Sequence, residues 1–504
     1  MKRNQFILIT TLVAIIFTLL FYKNNLGINL LIFEWLLIPL IIYLNKPLTP
    51  NLLSRTLIAS LFISSIMVVI INTPWTIFIN LALLLTTSSV LSYRDYRCFA
   101  YCSIDTFARI FTTHFANQNF IDQAKNRSKL STILLKIFLF GIVPLISIIV
   151  FFLIYVGASS KFADSMNPFF KFINNIYQEL NIILILVFLL GIVVSNVLLR
   201  KSQSIGLLKI DETSSDYLIR KRKYHYFPFK KTGLKNQTLM GVITLISLNI
   251  LILIFNIIDI KTVWFFTWDG NFLKEFVHQG TWLLIFSIIL SSLIAILFFK
   301  DNLNFYSKNK WLKNLTIVWI IQNIIMTISV IIRNYWYITY FGLAYKRIAV
   351  LFFLILAIIG LITIIIKITN KKSIYYLLRI NSYSLLLVLV LSSFVDWNII
   401  IAKYNFLNAD KSFIEYRFMG SILEPSALPY TIKTKEELKR IDSLQIKTMP
   451  FNTQDNYFWD SDTYYHELLI KKAEFINNYQ SQNPLEWNLS DYLTYKRITN
   501  NPSK

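Results

Sequence analysis

Apolar residues along this chain gather in long blocks, divided by short polar, basic or aromatic joints. Eleven blocks approach the roughly 20 residues that a helix needs to cross the hydrocarbon core of a bilayer. They are centred in Phe6–Tyr22, Ile28–Leu44, Leu57–Ile71, Trp75–Leu91, Leu134–Tyr155, Ile182–Leu199, Leu239–Ile258, Thr281–Phe299, Leu315–Ile332, Ile348–Ile366 and Tyr383–Ile401. Lipid offers no partner for a bare backbone N–H or C=O, so each block is expected to be a helix that satisfies its own backbone. The third and fourth are short and separated only by Asn72-Thr73-Pro74, which leaves a re-entrant pair as an alternative to two spans. The first follows Met1-Lys2-Arg3-Asn4 and leaves through Phe21-Tyr22-Lys23-Asn24-Asn25, with no small-residue cleavage site, so it reads as a retained signal anchor.

Composition narrows the class further. The 504 residues are 55% hydrophobic and only 15% charged, whereas soluble domains carry about 25% charged residues. The pattern predicts an all-α, polytopic transmembrane bundle of about 11 spans with a small extracytoplasmic α-helical tail. Two cysteines exclude a disulfide framework.

Charge sets the expected orientation. The net charge is +23, yet Lys403–Lys504 holds 13 basic and 13 acidic residues, so the excess lies among the spans. Basic residues between apolar blocks point to topology rather than nucleic-acid binding. A cytoplasmic N-terminus places Arg94–Lys129 and Arg200–Lys235, with its Arg220-Lys221-Arg222-Lys223 run, on the inner side. Anionic lipid headgroups are their expected partner. Eleven spans then put the tail outside. The segments are residues 1–92 (spans 1–4), 93–133 (a cytoplasmic amphipathic loop), 134–199 (spans 5–6), 200–237 (a basic loop), 238–403 (spans 7–11) and 404–504 (the tail).

In the 93–133 loop, Cys98, Phe99, Ile104, Phe107, Ile110, Phe111 and Phe115 recur at helical spacing. They fit either an interfacial helix or a helix packed by its apolar stripe on the bundle. Cys98 and Cys102 make half a zinc site at most and read as ordinary buried thiols. Tyr224, His225, Tyr226, Phe227 and Phe229 interleave with lysines, a mixture that RNA binders use. Beside a bilayer, headgroup attraction with aromatic anchoring is the simpler account, and no nucleic-acid partner is expected. In the tail, Thr434-Lys435-Glu436-Glu437 opens like a capping box, with Leu438, Ile441 and Leu444 behind it. Tyr464–Tyr479 and a segment capped by Ser490-Asp491 supply further helices. A packing role or a protein partner suits this tail better than catalysis.

Ionisable groups at membrane depth are costly and mark candidate sites. Glu34 is the acid well inside the early helices. Asn249, Asn256 and Asp259 share a face of the seventh span. Trp319, Gln322, Asn323, Ser329 and Arg333 form a stripe on the ninth. With the seventh, ninth and eleventh spans running outward, Asp259, Arg333 and Asp396 reach one depth, joined there by His278, Lys346 and Arg347. One reading is an outward-facing pocket, in which Arg333 and Lys346 or Arg347 hold an anionic group while Asp259, His278 and Asp396 orient it or carry protons. The other is a set of interhelical pairs and snorkelling side chains that fix packing. The four histidines, His114, His225, His278 and His466, fall on both sides and cannot converge on one metal. No His-Glu-x-x-His, Gly-x-Ser-x-Gly or Walker motif is present, and no cofactor is expected.

Several ordered motifs carry a family likeness. Val277-His278-Gln279-Gly280-Thr281, Asn302-Leu303-Asn304-Phe305-Tyr306, Trp319-Ile320-Ile321-Gln322-Asn323, Ile332-Arg333-Asn334 and Gly342-Leu343-Ala344-Tyr345-Lys346-Arg347-Ile348 are followed by Ser373-Ile374-Tyr375-Tyr376-Leu377 and Tyr404-Asn405-Phe406. Together they resemble the uncharacterised bacterial multi-pass family catalogued as domain of unknown function 4173, allied to family 4153. The resemblance covers Thr238–Phe406 well, Tyr416–Pro429 and Trp487-Asn488-Leu489 loosely, and the first half only in general character. It implies a bacterial inner-membrane protein and no defined activity. Three function classes stay open: a structural or signalling membrane component working through the tail and basic loops, a transporter of a small solute, and a membrane-embedded enzyme on lipid-linked substrates. No inverted repeat with broken helices favours the transporter.

Overall fold

The computed structural model describes residues 3–45, 51–92, 96–115, parts of 144–171, 181–199, 206–220, 233–265, 273–299, 302–448 and 459–500. These residues are helical, and the sole strand-like pairing among them is an isolated bridge between Tyr217 and Lys372. The first helices are α1 (Arg3–Phe21), α2 (Ile28–Leu44), α3 (Leu52–Ile71), α4 (Pro74–Ser92) and α5 (Phe99–Phe115), then α6 (Ile182–Leu199) and the short α7 (Leu207–Thr213). The second half carries α8 (Leu234–Asp259), α9 (Leu273–Phe298), α10 (Lys310–Phe341), α11 (Tyr345–Thr369) and α12 (Ile374–Ser392). The tail adds α13 (Trp397–Leu407), α14 (Lys435–Thr448), α15 (Ser461–Gln480) and α16 (Leu489–Asn500).

Among the described residues nine helices are long and apolar enough to cross a membrane, and α2 is a shorter apolar one. Together they match ten of the eleven expected spans. Most of the expected span Leu134–Tyr155 and residues 221–232 of the basic loop lie outside the described residues. Leu19, Leu251, Leu283, Phe286 and Leu297 are exposed on the outer helix faces. Such an apolar surface suits lipid and would be a liability in water. The protein is thus an all-α, multi-pass membrane bundle.

The structure refines three expectations. Of the two alternatives for the third and fourth blocks, two spans fit: α3 and α4 have 20 and 19 residues, each long and apolar enough to cross, and pack as a full-length hairpin. Its turn uses Asn72 in the left-handed region, while the Thr73 hydroxyl accepts the Thr76 N–H at 3.2 Å to start α4. The final span is not Tyr383–Ile401. It begins at Ile374, where Ser373 caps the helix by accepting the Tyr376 N–H at 3.2 Å, and it stops at Ser392. Asp396 then caps a separate helix, α13, accepting the N–H groups of Asn398 and Ile399 at 3.0 and 3.4 Å. Third, α5 divides its apolar stripe: Cys98 and Phe99 are buried, while Ile104 and Phe107 are exposed, as on an interfacial helix. Cys102, Asp105, Thr106 and Arg109 make up the rest of its buried face.

Two helical cores make up the bundle. One joins α1–α6, with Phe33, Ile41, Leu57, Leu83 and Leu198 at its centre, and takes in Leu386 and Val390 of α12. The other joins α8–α11, with Leu245, Ile288, Ile320 and Leu361, and takes in Leu377 of α12. So α12 crosses from one core to the other.

The tail forms a third core, of Ile401, Tyr416, Met419, Leu428, Tyr464 and Leu468, which includes Ile348 of α11. It sits on one end of the bundle, here the tail end. The Thr434 hydroxyl accepts the Glu437 N–H at 3.2 Å and Glu437 accepts that of Thr434 at 3.3 Å, the expected capping box. The last helix is capped by Asn488, which accepts the Asp491 N–H at 2.8 Å, two residues before the expected cap.

Docking of the tail is by backbone and amide contacts. The Ile28 N–H donates to the Trp487 carbonyl at 3.1 Å, and the Asn25 side chain donates to Glu486 at 3.0 Å. A Cβ on Gly27 would stand 2.3 Å from the Glu486 carbonyl oxygen, so the close approach depends on glycine. At the α10–α11 turn, Asn405 accepts the Leu343 N–H at 2.6 Å and donates to the Leu343 carbonyl at 3.0 Å. Gly342, at φ +78°, leaves room for it.

Candidate functional site

Three polar assemblies stand out. The first runs along the interface of α8 and α10, parallel helices because α9 returns between them. Asn249 donates to the Leu315 carbonyl at 3.1 Å, and Asn256 donates to that of Gln322 at 3.1 Å. Both donors and both acceptors are seven residues apart, the repeat that keeps one seam facing its partner. Gln322 donates to the Asn249 side-chain oxygen at 2.8 Å. Further along, Asp259 and Arg333 form a buried ion pair. A turn of π-helix, Ile260–Trp264, follows at once, and the Trp264 indole donates to the Ser329 hydroxyl at 2.7 Å. Asn323 is fully buried and donates to its own helix at the Trp319 carbonyl, 2.7 Å away. Glu34, in the other core, accepts a hydrogen bond from Asn80 at 3.1 Å.

The remaining residues expected at an anion pocket have other positions. Arg347 donates to the Phe341 carbonyl at 2.7 Å and to that of Gly342, and lies 4.3 Å from the Tyr337 ring centre. It thereby satisfies the last carbonyls of α10, where a helix dipole favours a cation. Lys346 is exposed. Asp396 caps α13. His278 lies on α9, at a position whose side chain is outside the described residues.

The second assembly surrounds Asp211, buried on α7 in a loop that the sequence marked only as basic. Its carboxylate accepts the N–H groups of Arg97 and Cys98, which lead into α5, and the Tyr375 hydroxyl of α12 at 2.8 Å. Asp211 therefore caps a helix from a distance. Arg97 in turn donates to the carbonyls of Asp211, Glu212 and Ser214. Arg379 pairs with Asp216 alongside. These contacts lie at the far end of the bundle from the tail. Beside them, burial pushes the Cys102 thiol up to about 12, so it is inert.

The third is a cleft of about 550 Å³ at the tail end. Its walls are Ile348, Ala349, Phe352, Phe353 and Leu356 of α11 and Val388 and Leu389 of α12, with Thr73, Pro74 and Trp75 from the α3–α4 turn. Trp397, Asn398, Ile422 and Glu424 roof it from the tail. The Trp75 indole donates to the Ser392 hydroxyl at 3.0 Å and that of Trp397 to the Ser392 carbonyl at 2.9 Å. Trp rings are favoured where a membrane meets water.

Polar groups gather under that roof. The Asn398 side-chain oxygen accepts the Tyr345 hydroxyl and, at 3.0 Å, the Glu424 N–H, while its amide donates to Asp396 at 3.0 Å. Burial raises the Glu424 carboxyl above the usual range, Lys471 opposes this, and Asp396 and Asp491 add to it. Lys471 itself donates to the Gly420 and Leu423 carbonyls at 2.8 and 2.5 Å. Among the described residues no Lys or Arg lines the cleft. Sequence reasoning did not bring Tyr345, Asn398 and Glu424 together, because only folding brings the first span of the α11–α12 hairpin under the tail. Among the described residues no group of three or more His, Cys, Asp or Glu could hold a metal ion.

No curated protein and no solved structure gives a significant match to the chain. A family model does: that of a domain of unknown function, DUF4153, over residues 57–434. It reaches back through α3–α7, further than the motifs of the second half, and names the ally of the family those motifs resemble. Since the match spans three-quarters of the sequence and takes in α8–α12, the cleft and the Asp211 assembly, the chain belongs to the DUF4153 family.

Proposed function

We propose that this is a bacterial cytoplasmic-membrane component, with its N-terminus inside and its tail outside, that works through the tail by holding one amphipathic molecule in the roofed cleft. The carrying observation is the division of that cleft. Apolar side chains of α11 and α12 line its depth, and the Tyr345, Asn398 and Glu424 network lies under the roof, with Trp75 and Trp397 at the rim. An acyl chain would lie along Phe352, Phe353 and Leu356. A headgroup carrying hydroxyl or amine donors would meet Glu424 and Asn398, since the lining offers carboxylate and amide acceptors and no cation. Orientation rests on the basic stretches, which the positive-inside bias keeps in the cytoplasm.

Native mass spectrometry of the full chain released from nanodiscs of phosphatidylethanolamine and phosphatidylglycerol tests the idea. One retained lipid per chain is expected, and Ala349→Trp should displace it while the protein still unfolds cooperatively. Equal retention by the variant would refute the site. Glu424 also gives an enzymatic reading some support, because a carboxyl raised by burial can take a proton from a bound hydroxyl. Retention of lipid by Glu424→Gln, with loss of any turnover of that lipid, would mark catalysis.

A further inference from the structure

The tail carries a second concavity, on the side of α13 away from the cleft's roof. It measures about 630 Å³ and is lined by Lys403, Phe406, Tyr430, Lys433, Lys472 and Arg497, with apolar neighbours at its base. Four cations converge there from four separate segments: Lys403 from α13, Lys433 before α14, Lys472 from α15 and Arg497 from α16. The tail as a whole is neutral, with equal numbers of acids and bases, so this concentration comes from folding. Among the described residues no acid lines the concavity, and none of the four cations is in an ion pair.

Aromatic rings hold these charges in place. Lys403 lies 4.6 Å and Arg497 5.6 Å from the Tyr430 ring centre, and Lys433 lies 5.6 Å from that of Phe406. Arg497 also donates to the Tyr430 hydroxyl at 2.5 Å, which leaves that hydroxyl's own proton to donate onward. Four like charges around one space repel one another, and an anion placed between them removes that cost. Arg offers a planar fork and Lys a compact point charge, the pair of donors suited to a multiply charged oxyanion. The apolar base of Phe406, Leu407, Pro429, Ile432 and Ile498 would accept a carbon skeleton beside the charge.

We propose that this concavity is a binding site for a phosphoryl-bearing anion. The phosphoryl group belongs either to a soluble molecule on the tail's side of the membrane or to a phospholipid headgroup. Lys403, Lys433, Lys472 and Arg497 bind the phosphoryl oxygens, and Tyr430 donates a further hydrogen bond.

Pyrophosphate binding to the full chain, measured by titration calorimetry in phosphatidylcholine nanodiscs, provides the test. One site per chain is expected, weakening as salt is raised. Lys403→Gln with Lys472→Gln should cost at least tenfold in affinity, and Arg497→Gln alone a smaller loss, both without a change in unfolding temperature. In nanodiscs with phosphatidylglycerol, loss of pyrophosphate affinity identifies a lipid source, and unchanged affinity identifies a soluble one. Absence of saturable binding in phosphatidylcholine, or binding that these variants leave intact, would overturn the assignment.

Discussion

Along the α8–α10 interface, Asn249, Gln322, Asn256, Asp259 and Arg333 pair with one another and with facing carbonyls, although one side-chain oxygen each of Asn256, Asp259 and Gln322 has no hydrogen-bond partner among the described residues. At the junction of tail and bundle, Tyr345, Asn398 and Glu424 also meet in a network, but theirs lies on the wall of a cavity. Both sets are polar, buried or half-buried, and at the edge of an apolar medium. What separates them is the space beside them. Pairing across two packed helices turns costly polar groups into a seam that fixes helix register, whereas an adjoining void leaves them something to recognise. A polar residue in a span is therefore no sign of a ligand until its neighbours have been counted.

The sharpest way to break this comparison is Arg333→Gln. Removing one partner leaves a buried Asp259 charge, at a cost of about 3–5 kcal/mol, and the purified protein should lose most of its cooperative unfolding transition. Asp259→Leu combined with Arg333→Met should recover much of it. If Arg333→Gln folds normally, the seam reading is wrong and Arg333 belongs to a site after all.

Next in size is Gly27→Ala. The new Cβ would press on the Glu486 and Trp487 carbonyls, an overpacking worth about 1–3 kcal/mol. Limited proteolysis should then cut the tail far faster while the α8–α10 seam keeps its hydrogen-exchange protection. Parallel weakening of both would mean that junction and seam are one unit.

The smallest effect is a pH slope. Burial raises the carboxyls of Glu424 and Asp491, against Lys471 at the first and Asn488 at the second. A carboxyl raised in the folded state binds more protons there than when unfolded, so its contribution is complete below the ordinary carboxylate range and is lost as pH rises through the raised values. Asp460, lowered by its bonds to Thr463, works the other way at acid pH. The melting temperature of the tail should drift down from about pH 5 to pH 8. Glu424→Gln should flatten that drift by well under 1 kcal/mol, roughly the scale for a half-exposed group. An unchanged slope would remove Glu424 from the account.

The two regions were also unequally legible. Asn249, Asn256 and Asp259 announce themselves by spacing on one helix, and their partners by the same spacing on another, because a seven-residue repeat is local. The junction is not local. Asn398 and Glu424 become neighbours of Tyr345 only through the break at residues 393–396, and that break was hidden because Asp396 resembled a polar residue inside a span. The start of α12 was hidden for a related reason: Arg379 and Asn381 look unfit for a membrane until Asp216 and Thr363 are seen beside them. On α5, the helical spacing of aromatic and aliphatic residues fits a packing face and a lipid-facing one alike. In a membrane protein that face can turn outward, and the buried one can hold Asp105 and Arg109.

One helix joins the Asp211 assembly to the cleft. At its start Tyr375 is fastened to Asp211; at its finish Ser392 receives the two indoles beside the cleft. Between these anchors α12 leans on one core through Leu377 and on the other through Leu386 and Val390. A rod clamped in this way would carry any tilt imposed at the cleft to its other end, where the Tyr375–Asp211 bond would bear the strain.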